Sequence, residues 1–346
     1  MNLPDARSAK PRSAIPGINL GIDTNSVIPI IIVMDISILL ALQNFRNGVG
    51  AFLAPFLKFM TFFGEVSTSV FLLAIIYWCV SKEFGTYLML GWSSNRLVNG
   101  FLKVTFCAYR PWIRDARIIP HGNSIETATG YSFPSGHTTN ASSIFGGSAL
   151  RKEIPVWGKV VLIVAALLVG FSRNYLGVHT PQDVLVGFSC SLLVMFFILK
   201  LTAYLEKNPE KDMLVMWIGL AIALALGLYA GLKSYPEDYN EQGKLIVDGA
   251  KMAKDTFKAI GLATGFLTGW VLERRFVRFT SDVSISRRII RGVIGGGVLA
   301  VLLYVVTPWI DKLLPGFAGP LVSRCIQMFF VTFLFPWCLK LVGKKD

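Results

Sequence analysis

The sequence predicts an all-α, polytopic integral membrane helical bundle. Of its 346 residues, 53% are hydrophobic and only 16% are charged, and the mean hydropathy is +0.56. A soluble domain cannot bury so much apolar surface, and several uninterrupted apolar runs are long enough to cross a bilayer. The formal net charge of +13 would suggest nucleic-acid binding in a soluble protein, but basic cytoplasmic loops explain it in a membrane protein. We therefore expect the lipid bilayer as a partner, and no nucleic acid.

The apolar runs predict nine membrane spans, or ten if the first run also crosses. That first run, Val27 to Phe45, is interrupted by one carboxylate, Asp35. The second run, Phe52 to Phe63, contains a proline and a lysine and is too short to cross, which favours an interfacial helix. The remaining spans are predicted at Val66 to Val80, Phe84 to Cys107, His137 to Leu150, Ile154 to Phe171, Val184 to Tyr204, 213 to 232, 257 to 272, 289 to 310 and 319 to 341.

Neither the cysteines nor the N-terminal residues show a pattern typical of a disulfide framework, a zinc site or a signal peptide. All five cysteines lie in or beside apolar runs without CxxC spacing, so they are interpreted as core residues. Neither a disulfide framework nor a zinc site is predicted. The first 26 residues contain no apolar stretch typical of a signal peptide, and we expect no cleavable one.

Three polar clusters interrupt the apolar sequence, at Lys103 to Pro111, Pro134 to His137 and Ser172 to Asp183. The first cluster ends one predicted span, the second begins the next, and the third lies at the turn between the following two. Successive spans cross the membrane in opposite directions, so all three clusters should meet at one face. Ionisable groups beside membrane-crossing segments are costly, and this face is therefore the predicted functional site.

Basic loops predict on which side of the membrane this face lies. Most loop lysines and arginines fall at the opposite face, among them the pairs Arg151-Lys152 and Arg274-Arg275. Because basic loops remain in the cytoplasm, the clusters should face away from it, in a plasma or inner membrane or in the endoplasmic reticulum of a eukaryote. The loop 233–258 is an exception, because it carries five lysines on the face predicted to be external.

The first cluster contributes two cations. Lys103 and Arg110 are seven residues apart, two turns of a helix, so they share a face if the helix continues to Arg110. Asn95 and Asn99 extend this face as a polar stripe toward the membrane interior. The alternative interpretation is a pair of basic side chains that extend toward the interface at a helix end.

The second cluster lies immediately before an apolar run. Ser135 is in the position of an N-cap, and the free amides of a first helical turn form an anion site. Gly136 would allow a phosphate to approach the backbone closely, and His137 adds an imidazole. Most helix starts of this composition are only caps.

The third cluster joins two helices. Ser172 and Arg173 end one helix, and His179 precedes the next. Asp183 either completes the N-terminal cap of that helix, or it binds His179 four residues earlier and fixes its tautomer. Together, the lysine and two arginines of the clusters require an anion, and phosphate suits the planar guanidinium groups.

The combination of clusters resembles the type 2 phosphatidic acid phosphatase superfamily, which includes membrane lipid phosphatases, glucose-6-phosphatase and the soluble vanadium haloperoxidases. Its signature is Lys-x6-Arg-Pro, Pro-Ser-Gly-His and Ser-Arg-x5-His-x3-Asp, and the three clusters match it without substitution. The resemblance implies a phosphatase core over residues 50–205. It leaves residues 1–49 as an N-terminal segment and residues 206–346 as a C-terminal transmembrane extension.

The resemblance also implies a role for each signature residue. His179 would attack phosphorus and form a phosphohistidine, with Asp183 orienting its ring. His137 would protonate the leaving oxygen and later help to activate water. The remaining signature residues would hold the equatorial oxygens of the transition state: Lys103, Arg110, Ser135, Gly136 and Arg173. The family needs neither a metal nor another cofactor.

Two features outside the signature concern packing. Arg96, within a predicted span, should face the bundle interior or pair there, with Asp35 or Glu65 as the suggested partner. Glycines 261, 265 and 269 repeat every four residues, a spacing that lets membrane helices approach closely. This repeat favours packing within the chain, and a homodimer is the alternative.

The expected function is hydrolysis of a lipid phosphate or lipid pyrophosphate at the extracytoplasmic face. Substrates that fit are undecaprenyl pyrophosphate, phosphatidic acid, phosphatidylglycerol phosphate and sphingoid-base phosphates. A sugar-phosphate phosphatase or a lipid phosphotransferase would use the same residues. The non-enzyme alternative is a transporter, but transporter sites lie near the membrane midplane, whereas these clusters lie at helix ends.

Overall fold

The computed structural model describes residues 28–343, except for 127, 129, 240–242 and 244. The chain is helical in this range, which confirms the predicted all-α class, and its described β pairing is a single bridge between Tyr239 and Leu245. Residues 1–27, for which no cleavable signal peptide is expected and which include the first residue of the run Val27 to Phe45, lie outside the described residues.

The principal helices follow the predicted order of apolar runs. They are α1 (Ile28–Asn47), α2 (Gly50–Phe62), α3 (Val66–Val80), α4 (Lys82–Phe106), α5 (Gly136–Ala141), α6 (Val156–Tyr175), α7 (Pro181–Lys207), α8 (Pro209–Leu232), α9 (Gly249–Leu272), α10 (Ile285–Leu313) and α11 (Ala318–Val342). Helix α5 continues through a π-helical segment, Ser142–Gly146, and a last turn, Gly147–Ala149.

The predicted count of nine to ten spans is not confirmed. Within the described residues, five helices are long and apolar enough to cross a membrane, namely α6, α7, α8, α10 and α11. A sixth is added if α2 and α3, which meet at 58°, form one broken span. Helices α4 and α9 have the length, 25 and 24 residues, but each carries several charged side chains. Some of these charges, such as Arg96 and Lys258, line an internal cavity.

The bundle has inner and outer helices. The largest buried apolar cluster joins α3, α4, α7 and α9 through Trp78, Trp92, Met195 and Trp270. The outer helices instead present apolar side chains to their surroundings, and Leu224 on α8 is an example, at 65% exposed. Exposed apolar surface of this extent is what a helix in contact with lipid requires.

Glycines bring α9 and α11 into close contact. A Cβ atom on Gly261 would lie 2.2 Å from the carbonyl oxygen of Leu321, and one on Gly265 would lie 2.1 Å from that of Cys325. The backbones therefore approach too closely for any larger residue at these positions. The glycine repeat is thus used for packing within the chain, while a homodimer stays an untested alternative.

Local helix-end signals bring the polar clusters to one end of the bundle. Helix α7 begins with a capping box, in which Thr180 accepts from the amide of Asp183 and Asp183 accepts from the amide of Thr180. The amide of Ser135, at the start of α5, donates to the carbonyl of Asp183 at 2.9 Å. The two helix starts are therefore tied directly to each other.

The end of α4 decides whether Lys103 and Arg110 share a helix face. The helix does not continue to Arg110, because it ends at Phe106 and Cys107 adopts a left-handed conformation with φ 47°. Lys103 therefore reaches the site from a helix and Arg110 from the loop that follows, and the two do not share a helix face. The basic loop after α8 lies at this same end, since Lys233 Nζ donates to the carbonyls of Val104 at 2.6 Å and Thr105 at 3.2 Å.

Candidate active site

A cavity of about 410 Å³ opens among α4, α5, α9 and α11 at the end of the bundle where the clusters meet. Both signature histidines contribute to its wall. The signature residues that line it are Lys103, Arg110, Gly136, His137 and His179. Ser135, Arg173 and Asp183 are buried beside it without lining it. Across the described residues, no group of three or more histidine, cysteine, aspartate or glutamate side chains is placed to hold a metal ion.

His179 is held by hydrogen bonds on both ring nitrogens. Its Nδ1 lies 3.2 Å from Asp183 Oδ2, and its Nε2 lies 2.7 Å from Arg110 Nη1. The carboxylate can only accept and the guanidinium can only donate, so Nδ1 carries the proton and Nε2 carries the lone pair. Ser132 Oγ also donates to Asp183 Oδ2. Asp183 therefore both completes the cap of α7 and orients His179, so the two alternatives hold together.

The surroundings keep His179 uncharged. The ring is only 2% exposed, and this burial is the largest cause that lowers its pKa well below the usual value. The positive charge of Arg110 lowers the pKa further, while the hydrogen bond and charge of Asp183 act in the opposite direction. A neutral imidazole with its lone pair on Nε2 is the form that can act as a nucleophile, once a substrate oxygen takes the place of Nε2 as the acceptor of the Arg110 hydrogen bond.

Lys103 and Arg110 point into the protein because backbone carbonyl groups hold them. Lys103 Nζ donates to two carbonyls of the segment 130–132, at 2.9 and 3.3 Å. Arg110 donates from Nε to the third carbonyl of that segment at 3.0 Å and from Nη1 to that of Val178 at 2.9 Å. Extension toward the membrane interface, the alternative considered for these two side chains, is not what the structure shows.

Arg173 is fully buried at the end of α6. Its Nη1 lies 3.5 Å from Thr61 Oγ1, whereas Nε and Nη2 have no hydrogen-bond partner among the described residues. Its carbonyl accepts from the amides of Val178 at 3.1 Å and His179 at 3.3 Å. The backbone of Arg173 thus positions the loop that carries His179, and its guanidinium keeps donors available for an anion.

His137 occupies the first turn of α5, under the turn between α2 and α3. A Cβ atom on Gly64 would lie 2.7 Å from His137 Cβ, so only glycine fits there. His137 Nε2 has no hydrogen-bond partner within the described residues. Ser135 Oγ accepts from the amide of Thr138 at 3.4 Å and from its hydroxyl at 2.8 Å. The structure thus uses Ser135 as the N-cap of α5.

The structure adds cavity residues that sequence reasoning missed. Arg96 lines the cavity and, in the described part of the chain, forms no ion pair with Asp35 or Glu65, so the suggested pairing is wrong. The extension contributes Lys258 from α9 and Arg324 from α11. An arginine inside a predicted span marks a functional site by default, and this signal was available for Arg324.

The apolar helices and the cation-lined cavity among them are those of an integral membrane protein with a site for an anion, and comparison with known families identifies its kind. A family model described as "PAP2 superfamily" matches residues 83–207. A second, described as "PAP2 superfamily phosphatase, transmembrane extension", matches residues 257–345. The chain belongs to the PAP2 superfamily, with a phosphatase core and a C-terminal transmembrane extension, and the predicted resemblance is confirmed.

Curated relatives are phosphatases that act on lipids. The chain is 36% identical over 154 residues to phosphatidylglycerophosphatase B of Bacillus subtilis, covering 40% of this chain and 71% of the relative. It is 26% identical over 188 residues to the undecaprenyl-diphosphatase BcrC of the same organism, covering 53% of this chain and 87% of the relative. It is 28% identical over 175 residues to a lipid A 4'-phosphatase of Porphyromonas gingivalis, covering 48% and 69%. No solved structure matches the chain closely enough to count as similar.

Proposed function

We propose that this protein hydrolyses a membrane lipid phosphate or lipid diphosphate through a phosphohistidine on His179. The observation that carries the proposal is the state of this ring, whose Nδ1 is bound to Asp183 and whose Nε2 lone pair meets Arg110 at the cavity wall. The relatives act on lipids that carry a phosphate or a diphosphate, which supports a substrate of this class.

In the first step, a phosphate oxygen of the substrate takes over the hydrogen bond that Arg110 Nη1 makes with His179 Nε2. The freed lone pair attacks phosphorus in line with the leaving oxygen, so that an N–P bond forms as the P–O bond breaks. His137 lines the same cavity; the bound phosphate dianion favours its imidazolium form, which donates a proton to the leaving oxygen. The lipid product leaves with that proton, and the phosphoryl group stays on His179.

In the second step, water attacks the phosphohistidine. His137, now neutral, accepts a proton from this water, the N–P bond breaks and inorganic phosphate departs. His179 returns to the neutral imidazole with its Nδ1 proton still bound to Asp183. The charge that develops on the phosphoryl oxygens faces cations that the fold has already fixed, which is how preorganised donors lower a barrier.

Phosphate release from lipid substrates tests the nucleophile. Purified protein in detergent should release phosphate from phosphatidylglycerol phosphate, phosphatidic acid or a polyprenyl diphosphate in the presence of EDTA. The His179→Ala variant should lose about 10⁴-fold or more in kcat, as when a covalent nucleophile is removed. His121→Ala is the matched control, because that exposed histidine lies outside the cavity. Retention of activity by His179→Ala would refute the mechanism.

We further propose that the cavity opens on the extracytoplasmic side, because most of the basic loops, the one after α8 excepted, lie at the other end of the bundle. Cysteines introduced one at a time by Arg117→Cys and Lys152→Cys, both exposed and at opposite ends, report the orientation in a background in which all five native cysteines are replaced by serine. An impermeant maleimide added to intact cells should label position 117, and label position 152 only after permeabilisation. The reverse pattern would place the cavity in the cytoplasm.

A further inference from the structure

The cavity contains more positive charge than the signature requires. Its lining includes five cationic side chains but only two acidic ones: Arg96, Lys103, Arg110, Lys258 and Arg324 against Glu65 and Asp255. A phosphate monoester carries about two negative charges at neutral pH. The signature cations already match that charge, so the three additional cations exceed what one phosphate requires.

Arg96 lies next to the signature residues. It precedes Lys103 by seven residues on α4, which places both on one face about 10.5 Å apart along the helix axis. Its Nη1 atom lies 3.9 Å from where a Cβ atom on Gly136 would be, at the start of α5. Its Nε atom is buried without a hydrogen-bond partner among the described residues. The guanidinium group is thus beside the phosphoryl site and retains a donor.

The other two cations come from the extension. Lys258 on α9 pairs with Asp255 at 2.7 Å, and Arg324 on α11 pairs with Asp311 at 3.5 Å. Neither residue is tied to backbone carbonyls in the way that the signature cations are. Both ion pairs are partly exposed, so each cation can turn toward a ligand at small cost.

We propose that Arg96, Lys258 and Arg324 form a second anion subsite, which holds a second phosphate group of the substrate beside the one that is hydrolysed. This inference rests on the proposed function, since it places the first phosphate at His179. The ligand class is a lipid with two phosphates, either a diphosphate or a phosphomonoester linked through a headgroup to a phosphodiester. The extension therefore completes the substrate site and determines specificity.

Paired substrates test the subsite. One pair is farnesyl diphosphate against farnesyl monophosphate, and the other is phosphatidylglycerol phosphate against phosphatidic acid with the same acyl chains. We expect Arg324→Gln and Lys258→Gln each to lower kcat/KM for the two-phosphate member of at least one pair by about tenfold, mainly through KM, because charge-assisted bonds to phosphate are strong. For the one-phosphate members, kcat/KM should change less than about threefold. The substituted side chain contacts only the second phosphate, so a substrate without that phosphate loses no contact. The pair that responds identifies how the second phosphate is linked.

Two controls separate recognition from damage. Lys254→Gln alters an exposed lysine one turn before Lys258 on the same helix. In each substrate pair, it should leave the ratio of the two kcat/KM values unchanged. Arg324→Lys should recover part of the lost preference. Equal losses on both members of a pair, or no loss on either, would overturn the subsite. If the unaltered protein hydrolyses none of the four substrates, the proposed function itself fails.

Discussion

The two halves of the cavity hold their cations in different ways. In the signature half, carbonyl groups of the segment 130–132 and of Val178 fix Lys103 and Arg110, and Asp183 fixes His179. In the extension half, Lys258 pairs with Asp255 on the same helix, and Arg324 pairs with Asp311 on α10. Fixed donors suit the charge that develops at a transition state, because they need not reorganise during reaction. Adjustable donors suit the binding of a group that does not react. A contact with such a group stabilises the bound substrate and the transition state equally.

The comparison predicts the largest loss of activity when His179 loses the contact with Asp183 that orients its ring. Asp183→Asn removes the negative charge and offers an amide in place of the acceptor for Nδ1–H, so the ring can adopt the wrong tautomer. We expect kcat to fall by about 10³- to 10⁴-fold, the order found when the carboxylate partner of a catalytic histidine becomes an amide. The measurement is phosphate release under saturating lipid phosphate. A loss of less than tenfold would mean that the ring needs no orientation.

Thr180→Ala is the matched control for that variant. It removes the hydroxyl that accepts from the amide of Asp183, but it leaves the contact between Asp183 and His179 in place. Loss of an N-cap costs about 1 kcal/mol of stability, so the melting temperature should fall slightly while kcat stays within a few-fold. If Thr180→Ala were as inactive as Asp183→Asn, capping of α7 would explain both results.

The signature half was largely predictable from sequence. Its residues converge because successive spans alternate in direction, and this follows from the order of the apolar runs alone. The sequence also contains the reason that the helix does not reach Arg110, since Pro111 disfavours a helical conformation at the residue before it. A proline at that position also clashes with the helix turn before it, where Cys107 ends α4.

The cations of the extension half could not be placed at the cavity from the sequence in the same way. Lys258 and Arg324 belong to helices far apart in the chain, and no local pattern predicts that α9 packs against both α4 and α11. The charged side chains of α4 and α9 are costly in lipid, which argues against counting either helix as a span in contact with lipid. Those charges are tolerated because these inner helices enclose the cavity.

The contact between α9 and α11 gives the smallest and most selective test of the comparison. Gly265→Ala places a Cβ atom 2.1 Å from the carbonyl oxygen of Cys325, and a backbone atom can yield only if the helices separate. Overpacking of this kind costs about 1–3 kcal/mol, so the melting temperature should fall by several degrees. Because Arg324 lies on the displaced helix, the preference for two-phosphate substrates should fall a few-fold, while kcat for one-phosphate substrates should change little.

Gly297→Ala on α10 is the control, as nothing lies within 4 Å of its added Cβ atom, and helix propensity makes it neutral or slightly stabilising. A Gly265→Ala protein that melts lower yet keeps its full substrate preference would separate the extension from substrate recognition.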